Sequence, residues 1–473
     1  IIKDEEEEDG IIQWPNLQKS CKLMFTPKYS YTPNGLKIGP NSSAPHDNKA
    51  LLQLYTTPAD AYDVMTEPEL LFLHCLYAVL DSNLGLIESN FVVGVYNFFV
   101  CLDTHWDDIV STIRTGKLPK DFQISDEVRE KLEGQFVPNV ERAEELVLIR
   151  KQYDISDHAQ SSTAATSSFA RRIWPKLHTI MANETGSFHL CGQRLRERWV
   201  GNDITIFSPI YAATEGLIGV NTDMNGKTYV LSPKAMFFEF LPMDESNNDD
   251  DGSKNDDNND SSEKPSENAL FIEELEVGKE YEMIVTNLTG LYRYRFGDVI
   301  RCVGYHGESP IVEIAYRKGQ FLNAQGERTS EETFYTSLSK TAEEDWNLDI
   351  LDYSTVEYFL KQNGTDSCPC YTVYVELAEK NSNGNTPVLR PLTDVELNAL
   401  DRQVGKANHL YEFFRSNGRL HRIEAVPVRP GTFEKLRKTM VNNLGTSPMQ
   451  MKQPRVTRDP RLVCVLEEGA IDS

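Results

Sequence analysis

Residues 289–300 read TGLYRYRFGDVI. As a strand, the segment puts Tyr292, Tyr294 and Phe296 on one face and Arg293 and Arg295 on the other. The aromatic face can pack in a core or stack on a flat ring. The guanidinium face can reach anions or paired acids. Gly297 permits a turn, and Asp298 just beyond it accepts hydrogen bonds. A carboxylate past the C-terminal end of a strand is well placed to grip a ribose diol. The plainer alternative is a Tyr/Arg ladder on a solvated sheet face, and both readings stand on this stretch alone.

Two further stretches frame it. YAATEG (211–216) reads as a strand running into a turn, with small residues where another molecule can come close to the backbone. Glu215 at that turn offers a carboxylate to magnesium, a hard cation that prefers oxygen; the alternative is a tight turn with a solvated glutamate. EIAYRKGQFLNAQGERTSEETFYTSL (313–338) reads as a strand, a basic turn at Arg317-Lys318-Gly319, a second turn at Gln325-Gly326 and a helix capped near Ser330. It looks like a hinge, where basic side chains meet phosphate in one arrangement of two units and leave it in another.

The 473 residues, 40% of them hydrophobic, suffice for two or three domains with a sizeable core. The formal charge of −24 is concentrated. Residues 244–267 carry −8 with no apolar side chain from Glu245 to Glu267, which predicts a disordered loop between strands 235–243 and 280–287 of one sheet. The opening KDEEEED adds −5, so the remainder is only moderately acidic, which argues against nucleic acid as a general partner. Apolar runs 70–80 and 91–102 are too short to span a bilayer and read as buried segments. Eight cysteines show no zinc-ligand spacing, and Cys368-Pro-Cys370 reads as lying beside a strand. Sequons at Asn41, Asn183, Asn259, Asn287 and Asn363, with Ile as the first residue, leave the compartment open between the cytoplasm and the secretory route.

The first 150 residues read as mainly helical. Thr66-Glu67-Pro68-Glu69 is a capping-box pattern leading into helix 70–80, and Pro138 interrupts a helix over 126–152. Strands dominate from about 177 to 325. After about 320 a helix at 330–340, strands at 351–360 and 370–378, a long helix at 394–416, a strand at 422–428 and a helix at 431–443 suggest a smaller α+β unit.

Taken together and in this order, the three stretches resemble the adenylate-forming superfamily and, within it, the Gretchen Hagen family of acyl-acid amido synthetases. The family signature Tyr-(Gly/Ala)-(Ser/Ala)-Ser-Glu is similar to Tyr211-Ala212-Ala213-Thr214-Glu215. Its signature Gly-Leu-Tyr-Arg-Tyr-Arg-x-Gly-Asp is matched from Gly290 to Asp298. HWDDIVSTIRTGKLP (105–119), WPKLHTIMANETGSF (174–188), VRPGTF (428–433) and MKQPRV (451–456) also look like family blocks, so the resemblance spans roughly residues 20 to 460. It implies an α/β fold: a large N-terminal domain of adenylate-forming type over 1–318 and a small C-terminal α+β lid over 319–473. It also implies a two-step ligase, in which ATP and a carboxylic acid give an acyl-adenylate and an amino acid then displaces AMP. Tyr211 and Thr214 would lie at the nucleotide, Glu215 would hold Mg2+ and Asp298 the ribose. Thr185 would line the acyl site, Arg317 would sit at the hinge, and Lys452 would be the mobile C-terminal lysine.

Two features depart from the family. Its Ser/Gly/Thr-rich phosphate-binding loop falls upstream of residue 1, and neither GPNSSAP (39–45) nor SSTAATSS (161–168) replaces it. Arg328 stands where plant members carry a lysine thought to contact phosphate, and a planar guanidinium is not a point-charge ammonium. Missing phosphate donors at roughly 3–4 kcal/mol each predict that this chain alone hardly adenylates anything. The sequence therefore leaves open an incomplete enzyme, a non-catalytic relative acting as a binding or structural module, and a nucleotide sensor.

Overall fold

The computed structural model describes residues 18–25, 29–38, 51–158, 168–184, 189–224, 226–243, 269–317, 322, 327, 329–362, 366–380, 386–444 and 453–471. Thr185, Arg328, Lys452, the acidic run 244–267 and the hinge turns at 318–319 and 325–326 lie outside them. The chain divides into two compact units, Ile1–Ala182 with Arg194–Thr205, and Asn183–Gln193 with Ile206–Ser473.

The first unit is mainly helical, as its composition predicts. Strand β1 (Ser20–Lys22) and the β2 (Ser30–Tyr31) and β3 (Lys37–Ile38) hairpin precede α1 (Glu67–Leu80), β4 (Leu86–Phe91), α2 (Val92–Thr104) and α3 (Trp106–Thr115). Then come α4 (Asp126–Gln135) and α5 (Val140–His158), broken at Pro138 as expected, α6 (Phe169–Ile173) and β5 (Thr179–Asn183). α7 (His189–Leu195) and β6 (Thr205–Phe207) each have residues in both units, and the Thr205 amide donates to the His178 carbonyl. β1 and β4 run parallel.

Helix α1 is apolar all round and is buried nearly all round, from Leu70 to Val79. Thr66 is its N-cap, but the expected capping box does not form: Glu69 turns outward and accepts from the Gln123 amide at 3.3 Å. At its other end Arg142, buried on α5, donates to the Val79 carbonyl of α1 and the Ile173 carbonyl of α6, both at 2.9 Å, and pairs with Glu145 at 2.7 Å. One guanidinium thus satisfies the last carbonyls of two helices, which have no partners within their own helix. His74 sits in the same core, with Nδ1 2.8 Å from the Thr57 hydroxyl and Nε2 2.9 Å from the Met24 carbonyl. Burial lowers its pKa to about 4.

The second unit holds two sheets. The first, in the order β10-β11-β12-β13-β9-β8-β7, contains β7 (Ile210–Ala213), β8 (Gly216–Val220), β9 (Tyr229–Leu231), β10 (Phe237–Pro242), β11 (Glu280–Thr286), β12 (Tyr294–His306) and β13 (Ser309–Arg317). β10 and β11 pair antiparallel, so the acidic run does join neighbouring strands of one sheet. The second sheet contains β14 (Leu348–Gln362), β15 (Asp366–Glu379) and β16 (Glu424–Pro427), with Cys370 buried inside β15. Alternation along β15 sends Tyr371, Val373 and Val375 to one face, under α8 (Glu331–Thr341), α9 (Asp394–Ala407) and α10 (His409–Ser416). Tyr374 points to the other face, under α11 (Thr432–Leu444) and α12 (Pro460–Gly469). The helix expected over 394–416 breaks at Asn408, whose extended backbone caps α10: its side-chain oxygen accepts from the Leu410 and Tyr411 amides.

Replacing Arg142 by Met keeps the stem volume but strands two buried carbonyls, and it should cost about 3 kcal/mol in urea unfolding. A second expectation concerns acid. An unfolded His74 titrates near its ordinary 6.5 and the folded one near 4, so between those values the unfolded chain binds more protons. Stability present above pH 6.5 should therefore fall by up to about 3 kcal/mol as pH approaches 4. The stability gap between wild type and His74→Gln should narrow over that window.

Candidate functional site

Three strands of the first sheet, β13, β9 and β8, separate β7 from β12, which makes four inter-strand spacings. In a flat sheet that is about 19 Å. Yet the Tyr211 hydroxyl on β7 donates to Asp298 Oδ2 on β12 at 2.5 Å. The sheet therefore curls until these two positions meet, around a core of Tyr211, Tyr229, Phe238, Phe240, Met283, Phe296 and Ile300. Tyr211 and Asp298 are 5% and 7% exposed, so the bond is shielded from water. Burial, and then the adjacent Asp298 charge, push the Tyr211 phenol well above its ordinary pKa, which makes it a permanent donor. Arg317 at the end of β13 is the cross-strand partner of Asp298, with Nε 3.6 Å from Oδ1 and its guanidinium 5.4 Å from the Phe296 ring centre.

Asp298 lies inside β12 and not past the end of a strand. Gly297 (φ +87°) supplies a kink within the strand where a turn was expected, and the ladder resumes beyond it with an irregular register. Regular alternation begins only at Tyr294; Tyr292 precedes the strand and is 81% exposed. The arginines are occupied by acids on neighbouring strands. Arg293 holds Glu239 of β10 through two contacts of 2.8 and 3.0 Å, and Arg295 holds Glu282 of β11 through two of 2.5 and 3.0 Å. Arg301 bridges Glu280 and Glu313, both at 2.6 Å. Of the two uses read for the guanidinium face, the structure shows paired acids.

Thr214 and Glu215 form the turn between β7 and β8, Thr214 exposed and Glu215 partly so. Gly216 follows at φ +141°, where a Cβ would come within 2.7 Å of Met236 Cε. Asn287, at the end of β11, reaches across: its Nδ2 donates to the Glu215 carbonyl at 2.8 Å. The first signature is thus tied twice, by Tyr211 to Asp298 of β12 and by the Glu215 carbonyl to Asn287 just after β11, although β7 is a ladder neighbour of neither strand. Asn287 drew attention in the sequence only as a sequon. The signal for its structural part was local: Asn-Leu-Thr-Gly after a strand is Asx-turn chemistry. Among the described residues no three His, Cys, Asp or Glu side chains cluster as a metal cage. A lone partly exposed carboxylate fits Mg2+ only as magnesium is usually held, by one or two carboxylates with water and substrate phosphates completing the shell.

Near undescribed Lys452, residues 453–457 lie along β14. Ser354 donates to the Pro454 carbonyl at 2.7 Å, and backbone bonds of 2.8 Å join Thr355 to Arg455 and Thr457 to Thr355. Arg455 is 7% exposed; it pairs with Asp352, donates to the Tyr353 carbonyl at 2.7 Å and lies 4.6 Å from the Tyr353 ring centre. The sequence marked the block MKQPRV but missed this arginine as its anchor.

Family models match along most of the chain: the GH3 family N-terminal domain over residues 10–203, the central domain over 229–317 and the C-terminal domain over 334–461. A GH3 domain-containing protein of Mus musculus is 28% identical over 398 residues, 84% of this chain and 65% of that protein, so the chain spans just under two thirds of that relative's length. The 4-substituted benzoates-glutamate ligase GH3.12 of Arabidopsis thaliana is 26% identical over 476 residues, 95% of this chain and 74% of the ligase. Among solved structures, the GH3.15 acyl acid amido synthetase superposes with a TM-score of 0.74 at 23% identity, covering 97% of this chain and 76% of its own, which shows a shared fold.

Tyr211→Phe removes one oxygen and leaves a buried carboxylate one donor short. Urea unfolding should register a loss of about 2 kcal/mol, the worth of a hydrogen bond to a charged group. A loss below a few tenths would mean that the sheet closes without this bond.

Proposed function

Because this chain belongs to the GH3 family, we propose that it is an acid–amino acid ligase working through an acyl-adenylate. The observation that carries the reading is the meeting of the family's two signatures: Tyr211 of the first is bonded to Asp298 of the second, and Asn287 holds the Glu215 turn beside them.

On this reading Asp298 grips the ribose hydroxyls of ATP, held in place by the Tyr211 hydroxyl, and Thr214 lines the nucleotide beside the exposed turn. Glu215 holds Mg2+, which draws charge from the phosphates when bound. The carboxylate oxygen of the acid, lined by Thr185, attacks the α-phosphorus, and the bond to pyrophosphate breaks. The amino nitrogen of an amino acid then attacks the acyl carbon, AMP leaves, and the nitrogen gives up a proton. Arg317 sits at the hinge to a small C-terminal lid beginning at about 319, and Arg328 and the mobile Lys452 are the catalytic residues assigned to that lid. Positioning and charge stabilisation are what such a site supplies, because the mixed anhydride itself makes the leaving group good.

Exchange of labelled pyrophosphate into ATP, driven by a panel of aromatic and aliphatic acids, is the direct test. With the family's phosphate-binding loop supplied, at least one acid should support exchange, and Glu215→Ala or Asp298→Ala should each reduce it by about 10²- to 10³-fold, whereas residues 1–473 by themselves should exchange little. A loop-bearing chain that binds Mg–ATP yet shows no exchange with any acid would be a binding module instead.

A further inference from the structure

Asn287 carries four hydrogen bonds from one short side chain. Its Oδ1 accepts from the Thr289 amide (3.1 Å), the Thr289 hydroxyl (2.8 Å) and the Leu291 amide (3.1 Å), which together shape the turn entering the TGLYRYRFGD segment. Its own amide donates to the Leu291 carbonyl at 3.0 Å, closing the same turn. The remaining group, Nδ2, leaves the turn altogether and donates to the Glu215 carbonyl, 72 residues earlier, at 2.8 Å.

The two ends of that bond have different supports. Thr286, just before Asn287, ends β11, which is paired on both sides with β10 and β12. Glu215 lies in the tip between β7 and β8, and β7 is an edge strand. A hairpin tip on an edge strand is free to tilt unless something beyond its own ladder holds it. The Tyr211–Asp298 bond fixes the strand four residues before Glu215, and the Asn287 bond fixes Glu215 itself. A bond to the carbonyl of the residue that carries the carboxylate limits where that carboxylate can point.

We propose that Asn287 is a positioning residue: its Nδ2 sets the Glu215 carboxylate at the distance from Asp298 that a magnesium-bound nucleotide requires. This rests on the ligase reading above, in which Glu215 meets the metal and Asp298 the ribose. Asn287 itself touches neither, and its effect passes through the Glu215 backbone.

Aspartate separates the two duties of this side chain. Asn287→Asp keeps the oxygen that accepts three bonds and puts a charged acceptor, which cannot donate, where the donor to Glu215 stood. In the full chain, the variant should unfold within a few degrees of wild type in a thermal melt. In calorimetric titrations of ATP at varied Mg2+, the Mg2+ concentration giving half-maximal nucleotide affinity should rise about tenfold, the worth of one hydrogen bond. Metal-free ATP binding should change less than twofold, and excess Mg2+ should restore wild-type affinity. In the exchange assay the loss should fall on KM for Mg–ATP, with kcat recovered at high Mg2+. Should the aspartate variant fail to fold, Asn287→Ser retains an oxygen for the turn but is too short to reach Glu215, and the same shift is expected.

An unchanged Mg2+ dependence in a folded variant, with wild type binding Mg–ATP normally, overturns the positioning role alone. A wild-type chain whose ATP binding ignores Mg2+ removes the ligase reading and this inference together. A variant weakened equally with and without Mg2+ also refutes the proposal, because a purely structural lesion would not single out the metal.

Discussion

The hydrogen bond from Tyr211 to Asp298 is the constraint on which the central sheet depends. Laid flat, the sheet would leave β7 and β12 four strand spacings apart, with Tyr211 and Asp298 in different surroundings. Curling brings the phenol onto the carboxylate and encloses an aromatic core between them. A buried acid without a donor is costly, and a buried phenol without an acceptor is costly too. Each therefore stabilises the other only in the curled arrangement.

The same economy of charge extends outward. Arg293, just before β12, and Arg295 and Arg301 within it stand against four acids on β10, β11 and β13. Glu239 and Glu282 are buried carboxylates, and each is met by a planar guanidinium through two bonds, the geometry that best offsets desolvation. These pairs hold the register of strands that also carry a bulge and a positive-φ glycine. Arg317, partly exposed at the end of β13, faces the Asp298 carboxylate. Arg455 follows a related logic in the second sheet, where Asp352 and the Tyr353 carbonyl and ring surround a guanidinium that burial alone would disfavour.

Much of the fold was legible because its signals are local. Pro138 separates α4 from α5, the apolar runs at 70–80 and 91–102 became buried helices, and strands bounded by turn residues in the last third fell where alternation placed them. Errors arose where a distant group took over a local one. The Thr66 box failed because Glu69 bonded to Gln123 instead. The helix at 394–416 broke because the Asn408 amide found the Glu327 carbonyl and the Thr329 hydroxyl. Asp298 fell within a strand because Gly297 kinks the chain without ending its pairing.

The residues that name the family were readable in order along the chain, since a signature is a matter of residue type and spacing. Helical and extended segments were readable for the same reason: apolar period and turn chemistry act within a few residues. The partners of Tyr211, Asn287, Arg293 and Arg142 were decided only by the folded chain. Those contacts join residues 31 to 87 positions apart, and no local pattern records which distant acid, hydroxyl or carbonyl a curled sheet or a helix end will bring within three ångströms.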